Sequence, residues 1–373
     1  MRKEAAPTAP QKHVDSLSHL IFHGYARNFE QAPDPNESIF SELRYVSALA
    51  ADERAEFLKL AQSHHVLVRA LAVLNKAAQT VRNEDIENWS AAALMAERAR
   101  AHNAVAKLEF VCNKLEAQGC KVAVIKSLDH WPDIGSDLDL YTIGEAENVM
   151  RVMQTAFGAR AVARSWGDRL ANKWNFNVPG LPELIEIHIR YLGQTGEHRK
   201  MARRVIERRV PRTVGGRSFF VAAAEEQIVI SALQRMYRHF YFRLCDMADV
   251  AALLQAKAVD FAELRRAADL GGIWPGVATF LFLVSRFVDS HGTVVRLSDE
   301  VIEAACSSDI DVYFENGFLR VPKLPAAGLY GAQLITAGRN GDLRAVCRLP
   351  LLPPLAVSAL VAQRLTGNDK GVW

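Results

Sequence analysis

The chain has 373 residues, of which half are hydrophobic and 23% are charged, and this composition excludes an intrinsically disordered protein. Its formal net charge of +3 is too small to indicate a nucleic-acid partner by itself. The five cysteines form no Cys-x-x-Cys pair and no Cys/His cluster with zinc-finger spacing, which predicts buried or free thiols in a reducing cytoplasm.

The N-terminal residues 1–36 are polar and contain four of the 14 prolines, so we expect a flexible arm there. The first residues, MRKEAAPTAPQKH, contain no apolar segment and therefore predict no signal peptide. Because the chain has no run of about 18 uninterrupted apolar residues, we also expect no membrane span and no membrane partner. Together these features predict a cytoplasmic protein.

Residues 37–120 are predicted to form a helical region, because apolar residues recur at helical spacing. We place Ser90 as the N-cap of its last helix and Gly119 at the end of that helix. From residue 121 the pattern changes, and residues 121–195 are predicted to form a small α/β core. Its segments are the predicted strands KVAVIKS and SDLDLYT, a helix in EAENVMRVMQTAFGA, and three further strands in RAVARS, NKWNFNVP and LIEIHIRYL.

Residues 196–300 return to helical periodicity and are predicted to form a helical domain, followed by a mixed segment at residues 301–373. The apolar tail LPLLPPLAVSALVAQRL is interrupted by prolines, so a helix packed on the core is favoured there over membrane contact. The predicted fold class is therefore α+β, a small mixed β-sheet core flanked by N-terminal and C-terminal helical segments.

Two carboxylates stand out in the second predicted strand. Asp137 and Asp139 are two positions apart, so both side chains point to the same face of the sheet, opposite Leu138 and Leu140. At about 4 Å such a pair repels by roughly 4 kcal/mol for an effective dielectric constant near 20. A cation, a shared proton or wide exposure to water must offset that repulsion, and a divalent metal is the usual functional answer.

A third carboxylate lies on the last strand of the predicted core. In LIEIHIR the isoleucines form one apolar face, while Glu186, His188 and Arg190 share the other. If this strand pairs near residues 136–141, Glu186 completes a three-carboxylate site. Such a site suits phosphoryl-type transfer, in which two metal ions about 3.5–4 Å apart stabilise the attacking and leaving oxygens.

Several basic residues have two open interpretations. Lys173 and Arg190 either bind the β- and γ-phosphates of a nucleotide or are ordinary surface cations. His188 either acts at the acceptor or a carboxylate, or is hydrogen-bonded into the domain junction. The basic segment HRKMARRVIERRVPR, residues 198–212, either binds a polyanion such as tRNA or is a solvated helix face, and it contains no aromatic residue to stack on bases.

A predicted helix in the third region carries polar residues three to four positions apart. His239, Arg243, Asp246 and Asp249 can lie on one side of it, where salt links between helix and domain are favoured over substrate contacts.

At the carboxylates the chain resembles the DNA polymerase beta-like nucleotidyltransferase superfamily. That pattern is a Gly-Gly or Gly-Ser turn, then Asp-apolar-Asp-apolar, then a later strand with a third Asp or Glu. Here Lys126-Ser127 takes the place of the turn, and nine residues separate it from Asp137-Leu138-Asp139-Leu140.

The chain is still more similar to the bacterial family described as uncharacterised nucleotidyltransferases. That family shows Lys-Gly after an apolar strand and a later Asp-apolar-His, and Ile125-Lys126-Ser127 and Glu186-Ile187-His188 hold the equivalent places. Its helix with His, Arg-Leu and Asp-apolar-apolar corresponds to His239, Arg243-Leu244 and Asp249-Val250-Ala251. The likeness runs from about residue 40 to residue 350.

The resemblance implies that Asp137 and Asp139 bind two magnesium ions, or manganese in their place. It implies that Glu186 binds the catalytic ion and favours deprotonation of the acceptor, and that Ser127 with nearby backbone amides holds the triphosphate of an NTP. The nucleotide-binding candidates are Lys126, Ser127, Ser136, Lys173, His188 and Arg190.

Three departures from the family pattern bear on activity. Lys126 and Ser127 replace the turn glycines that permit a close backbone approach to phosphate, and Lys126 is either a phosphate counter-charge or a solvated strand end. The third Asp is Glu186, one methylene longer. The Arg that commonly precedes the Asp pair is absent, because Asp133-Ile134-Gly135-Ser136 stands there.

We therefore expect an enzyme that transfers a nucleoside monophosphate from an NTP to a small-molecule hydroxyl or phosphate and releases pyrophosphate. The alternatives are a non-catalytic relative that binds a nucleotide or a partner, and a transferase acting on protein or tRNA.

Overall fold

The computed structural model describes residues 8–24, 35–305 and 312–366. The N-terminal region is helical, as predicted, and its last helix begins earlier than expected. Asn83 is the N-cap, with its side chain accepting a hydrogen bond from the Ile86 amide, whereas Ser90 is buried inside the helix. The helices of this region are α1 (Ala9–Gly24), α2 (Glu37–Ser47), α3 (Ala51–Ser63), α4 (Leu67–Val81) and α5 (Glu84–Ala117).

Helix α1 corrects the prediction that residues 1–36 form a flexible arm. Leu17 and Leu20 of this helix are fully buried in the main hydrophobic core, together with Val14. Helix α1 contains no proline after Pro10, and its apolar residues lie three to four positions apart. Burial of that apolar face therefore stabilises the helix. Residues 1–7 and 25–34 lie outside the described part of the chain.

The core sheet is mixed and contains seven strands in the order β3-β4-β5-β2-β1-β7-β6. Strands β2 and β5 are parallel neighbours at its centre, and β1 pairs antiparallel with β2 on the other side. Helices α6 (Ala146–Phe157) and α7 (Trp166–Ala171) fall between its strands in the chain. The strands are β1 (Val122–Val124), β2 (Asp137–Thr142), β3 (Arg160–Ala161), β4 (Lys173–Asn177), β5 (Leu184–Ile189), β6 (Val210–Val214) and β7 (Arg217–Val221).

The two outer strands β6 and β7 correct the boundary predicted at residue 195. They form a hairpin around Gly215 and Gly216, which have φ of +55° and +75°. Two positive φ angles at the centre of a two-residue turn are what a type I′ hairpin requires, and glycine adopts them without steric cost. Because β7 pairs in parallel with β1, the core sheet continues to residue 221.

One face of the sheet is covered by helices. Leu138, Leu140, Ile185 and Ile187 are fully buried there against apolar residues of α5 and α6. The alternation in β2 and β5 therefore works as predicted, with apolar residues toward the helix layer and polar residues on the opposite face.

Ala123, Ile125 and Tyr141 on the opposite face of the sheet belong to the main hydrophobic core, which also contains residues of most of the remaining helices. A three-stranded sheet with the order β8-β10-β9 joins the helical domain to the segment after residue 312. The elements are α8 (Lys200–Glu207), α9 (Ala224–Ala232), a π-helix (Leu233–His239), β8 (Tyr241–Phe242), α10 (Leu244–Gln255), α11 (Phe261–Leu270), α12 (Trp274–Ser290), α13 (Asp299–Ala304), β9 (Tyr313–Glu315), β10 (Phe318–Arg320), α14 (Lys323–Arg339), α15 (Leu343–Arg348), a 3-10 turn (Leu349–Leu351) and α16 (Leu352–Thr366).

The basic segment 198–212 is largely neutralised by carboxylates of the same molecule. Arg204 pairs with Glu226 at 2.5 Å and also contacts Glu263, while Arg208 lies 2.9 Å from Glu225. Arg209, beyond the end of α8, pairs with Glu116 of α5. These cations tie helices together, so they are not free to line up along a polyanion.

The C-terminal tail is helical, as predicted, but packs less than expected. Val357 and Val361 of α16 are about half exposed, and Leu365 is 79% exposed. The prediction that this helix packs on the core is therefore wrong for the side chains described in its second half. Among the described residues, no helix is both long and apolar enough to cross a bilayer.

Candidate active site

The three predicted carboxylates come together because of the register of two parallel strands. Asp139 on β2 lies directly opposite Glu186 on β5, and Tyr141 lies opposite His188. Alternation puts Asp137 and Asp139 on the same face as Glu186. The fold thus places the three carboxylates on one face of neighbouring strands, as expected from the sequence. The chemical role of each residue stays a prediction.

The polypeptide between β1 and the loop that follows bends sharply beside these carboxylates. The Ser127 amide donates to the Ile125 carbonyl at 2.7 Å, which closes a three-residue turn around Lys126. Lys126 has φ of +64°, a conformation that costs a residue with a Cβ about 1–2 kcal/mol. Lys126 therefore adopts, inside a tight turn, a backbone conformation that glycine would take without steric cost.

The lysine side chain points into the carboxylate group. Its Nζ contacts the Asp139 carboxylate and lies 4.0 Å from Glu186 Oε1. Lys126 is therefore not a solvated strand end, which was one of the two open interpretations. Its ammonium lies between two of the three predicted metal ligands.

Two further basic residues hold Glu186. Lys173 Nζ lies 3.0 Å from Glu186 Oε2 and 2.9 Å from Asp168 Oδ1 of α7. His188 Nε2 lies 2.9 Å from Glu186 Oε1 and 3.3 Å from Asp139 Oδ1. Both candidates thus contact the carboxylates, and His188 contacts two of them, as one of its two interpretations required.

The two serine candidates differ in position. Ser136 is at the edge of the site, where its hydroxyl donates to Asp137 Oδ2 at 3.2 Å. Ser127 is buried, accepts a hydrogen bond from the Asp139 amide at 2.7 Å and donates to the Asp137 carbonyl at 3.2 Å. The Ser127 side chain therefore fixes the backbone of β2 instead of pointing at a phosphate.

Arg190 does not reach the site, and that prediction is corrected. Strand β5 ends at Ile189, and Arg190 has φ of +70°, so the alternation that would have carried its side chain onto the Glu186 face stops one residue earlier. Its guanidinium is exposed and pairs with Glu145 at the start of α6.

The protonation equilibria of the carboxylates differ because their partners differ. Burial raises the pKa of Asp137, and the negative charges of Glu186 and Asp139 raise it further. Burial also opposes the charge of Glu186, but the hydrogen bond from His188 and the charges of His188 and Lys173 hold its pKa well below the ordinary value. Asp137 is thus the carboxylate with the least cationic compensation.

The carboxylates line a cavity of about 250 Å³ that has two walls of opposite charge. The acidic wall is Asp137, Asp139 and Glu186, accompanied by Lys126 and Lys173. The basic wall is Arg235, Arg238 and Arg243, accompanied by Gln234, His239 and His65.

The basic wall is built mostly by the π-helix Leu233–His239, which supplies four of the residues lining the cavity. π-Helical turns are rare and occur often at functional sites. The helix ends where Phe240 adopts φ of +56°. Burial, followed by the charges of Arg238, Arg235 and Arg243, holds the pKa of His239 well below its ordinary value, so this imidazole is neutral near pH 7.

The arginines of this wall have different partners. Arg235 is buried and pairs with Asp246 at 2.6 Å. Arg238 is half-buried and forms no ion pair with any described residue, although it borders the cavity. An unpaired guanidinium in such a position is a ready partner for phosphate oxygens.

Two roles were considered for the polar residues of this region, salt links and substrate contacts, and the residues divide between them. The four residues are His239, Arg243, Asp246 and Asp249. His239 and Arg243 line the cavity, whereas Asp246 pairs with Arg235 and Asp249 pairs with Arg69 at 2.8 Å. Arg238 and His65 were not among the candidates from sequence. No local pattern identifies them, because a π-helix changes the spacing at which residues share a face and His65 is distant in the chain.

The donor set fits a hard divalent cation. Carboxylate oxygens are the ligands that magnesium and manganese prefer, and Asp139 and Glu186 offer ligand atoms within 4.8 Å of each other and of a His188 ring nitrogen. Asp137 lines the same cavity. Within the described residues, Asp137 has the Ser136 hydroxyl as its side-chain partner and no cation of its own. Lys126 lies between Asp139 and Glu186, so its flexible side chain would have to move aside for a cation to bind there.

Comparison with known proteins identifies relatives for the core of the chain. A model of the family described as uncharacterised nucleotidyltransferase matches residues 51–289, more than half of the chain. No curated protein matches the sequence.

Two solved structures are similar in part. One is the crystal structure of an antigenic nucleotidyltransferase-like protein from Paracoccidioides brasiliensis, with 12% identity and a TM-score of 0.33 over 52% of this chain and 95% of that one. The other is the solution structure of the antibiotic-resistance factor ANT(2'')-Ia, with 9% identity and a TM-score of 0.32 over 50% of this chain and 98% of that one.

Proposed function

The chain belongs to the uncharacterised nucleotidyltransferase family, and we propose that it transfers a nucleoside monophosphate from an NTP to a small-molecule acceptor, with release of pyrophosphate. The observation that carries this proposal is the convergence of Asp137, Asp139 and Glu186 on a cavity whose opposite wall is basic. A metal–nucleotide complex combines positive ions with a polyphosphate, and a cavity with one acidic and one basic wall is complementary to both.

The residues of the acidic wall would hold the cations. Magnesium bound by Asp137, Asp139 and Glu186 would neutralise the developing charge on the attacking and leaving oxygens. Glu186 would favour deprotonation of the acceptor, an effect typically worth about 10²–10⁴-fold. His188, which lies 2.9 Å from Glu186 and 3.3 Å from Asp139, would keep both carboxylates oriented.

The basic residues would bind and orient the triphosphate. Arg238 has no ion pair among the described residues and is therefore available to phosphate oxygens. If a cation replaced the Lys126 ammonium at Asp139, that ammonium would also be available to bind phosphate oxygens. Lys173 remains bound between Asp168 and Glu186, so its contribution is to hold the acidic wall in place.

A small acceptor is favoured over a nucleic acid. The arginines of segment 198–212 that reach neighbouring helices are paired with carboxylates, which reduces the basic surface available to tRNA. A second, mostly apolar pocket adjoins the cavity through Lys126, Gln234 and Arg238, and it is lined by apolar residues that include Leu192, Ile230 and Leu233. Ligand sites for small molecules commonly combine such an apolar pocket with a few polar groups.

The test is a pyrophosphate-release screen with each of the four NTPs against a library of small hydroxyl and phosphate acceptors. We expect release that requires Mg²⁺ or Mn²⁺ and that is abolished in Asp137→Ala and Asp139→Ala. Glu145→Gln is the matched control, because this carboxylate is exposed and lies outside the cavity. Activity that survives both alanine variants, or that needs no divalent ion, would contradict the proposal.

The position of Lys126 favours a second candidate, a relative that binds nucleotide without catalysis. Its ammonium already neutralises Asp139 and Glu186, which is the electrostatic task of a metal. In that case ATP would bind, measured by calorimetry, with the same affinity in the presence and absence of Mg²⁺, and no acceptor would release pyrophosphate.

A further inference from the structure

A second group of metal-ligating side chains lies outside the carboxylate site. His65, His130 and Cys245 each offer one ligand atom, and these three atoms lie within 4.8 Å of one another. They come from the end of α3, the loop after β1 and the first turn of α10. The proposed nucleotidyl transfer uses none of them.

The separations suit a tetrahedral zinc site. Zinc binds sulfur at about 2.3 Å and imidazole nitrogen at about 2.0–2.1 Å, which places tetrahedral S and N ligands about 3.6 Å apart. Cys245 Sγ lies 3.8 Å from His130 Nε2. The rings of His65 and His130 meet edge to face with centroids 5.4 Å apart, and the ligand atom of His65 lies within 4.8 Å of those of His130 and Cys245.

The surroundings of His130 are those of a metal-bound histidine. Its Nδ1 lies 2.5 Å from Asp249 Oδ2, which fixes the ring and directs Nε2 toward Cys245. A carboxylate on the second ring nitrogen is the usual support of a zinc-ligating imidazole. Asp249 is held in turn by Arg69, whose Nη1 is 2.8 Å away and whose side chain is fully buried.

His65 adds an independent observation. Its Nδ1 is buried and makes no hydrogen bond within the described residues, which leaves a polar atom without a partner. The residue has φ of +51°, so the backbone after α3 places its side chain against Gly135 at the edge of the cavity. A buried ring nitrogen without a hydrogen-bond partner, next to an imidazole and a thiol, has a lone pair available to ligate a cation.

We propose that His65, His130 and Cys245 bind one Zn²⁺ ion, with Asp249 as the outer support. Thiolate and imidazole ligands select zinc over the magnesium expected at the carboxylates. Three protein ligands leave a fourth position for water or a substrate group, and His65 is the ligand that borders the cavity. The ion links the N-terminal helical region, the loop before β2 and the helical domain.

The experiment uses Co²⁺ as a spectroscopic probe of the full-length protein after removal of metals by a chelator. We expect one equivalent of Co²⁺ to give a near-ultraviolet thiolate-to-cobalt absorption band, and one equivalent of Zn²⁺ to abolish that band. The band should disappear in Cys245→Ser and persist in Cys112→Ser, whose thiol is buried under the sheet. Asp249→Asn should weaken Co²⁺ binding by about 10–100-fold.

Two further variants separate this site from the carboxylates and from misfolding. Asp137→Ala should keep the band, because the carboxylate site contains no sulfur, so the result is independent of whether nucleotidyl transfer is found. His65→Ala changes a half-buried residue at the cavity edge and should weaken Co²⁺ binding while circular dichroism stays unchanged. The absence of a band in the native protein, its persistence in Cys245→Ser, or unchanged affinity in His65→Ala would overturn the proposal.

Discussion

The two walls of the cavity are built in different ways, although they line the same space of about 250 Å³. The acidic wall is carried by two adjacent strands, and the register that pairs Asp139 with Glu186 sets its geometry. The basic wall is carried mainly by a π-helix and by Arg243, the residue before α10. One wall depends on strand pairing, and the other depends on an unusual helical repeat.

The difference shows how charge is balanced on each side. In the acidic wall, Glu186 and Asp139 are compensated by Lys126, Lys173 and His188, whereas Asp137 is not paired with a cation. In the basic wall, Arg235 is compensated by Asp246, whereas Arg238 forms no ion pair with a carboxylate in the part of the chain that the structure describes. Each wall thus combines residues that hold the structure with at least one residue whose charge is available for a ligand.

The most severe test of the acidic wall is Asp137→Asn. This change keeps the shape of the side chain and removes the charge that has no cation of its own. Because a bound metal ion stabilises the transition-state charge by several kcal/mol, kcat should fall by about 10²-fold or more. Thermal stability should stay the same or rise, because the repulsion from Glu186 and Asp139 is removed. Steady-state pyrophosphate release together with a thermal melt measures both effects, and loss of stability in parallel with activity would mean that Asp137 is mainly structural.

The corresponding change in the basic wall, Arg235→Met, should destabilise the folded protein. It leaves the carboxylate of Asp246 buried without a partner, and breaking a buried pair in this way costs about 3–5 kcal/mol. The free energy of unfolding from denaturant titration checks this value. A cost below about 1 kcal/mol would show that the pair does not hold the π-helix against α10.

Arg238→Gln, three residues further along the same helix, should affect ligand binding instead of stability. Loss of a charge-assisted contact to phosphate costs about 1.5–3 kcal/mol, so KM for the NTP should rise about 10–100-fold, with a smaller change in kcat. The melting temperature should be close to that of the native protein, because Arg238 has no ion pair among the described residues. An unchanged KM would remove this residue from the triphosphate site.

The smallest expected effect separates the backbone and the side chain of Lys126. Lys126→Gly and Lys126→Met both remove the ammonium from Asp139 and should raise KM for the NTP to a similar extent. Only glycine relieves the left-handed conformation at φ of +64°, so the Gly variant should be about 1 kcal/mol more stable than the Met variant. Equal stability of the two variants would mean that the turn is not strained.

Much of the acidic wall follows from local sequence. Alternation in SDLDLYT and LIEIHI assigns each side chain to a face, and the fold has β2 and β5 with those faces. Arg190 departs from the pattern because β5 ends before it, and the position at which a strand ends depends on its neighbours. The hairpin β6–β7 had a readable signal in Gly215-Gly216, between segments of strand-forming residues.

The sequence by itself determined the α+β composition, the strand that carries Asp137 and Asp139, and the face on which Glu186 lies, because strand periodicity is a local property. Tertiary structure decided which strands are neighbours, how the π-helix turns Arg238 toward the carboxylates, and that α1 is buried. It also decided that His65, His130 and Cys245 meet, since their separations in the chain are far longer than those of any zinc motif. Contacts between distant segments depend on the packing of the whole chain, so no short window of sequence contains them.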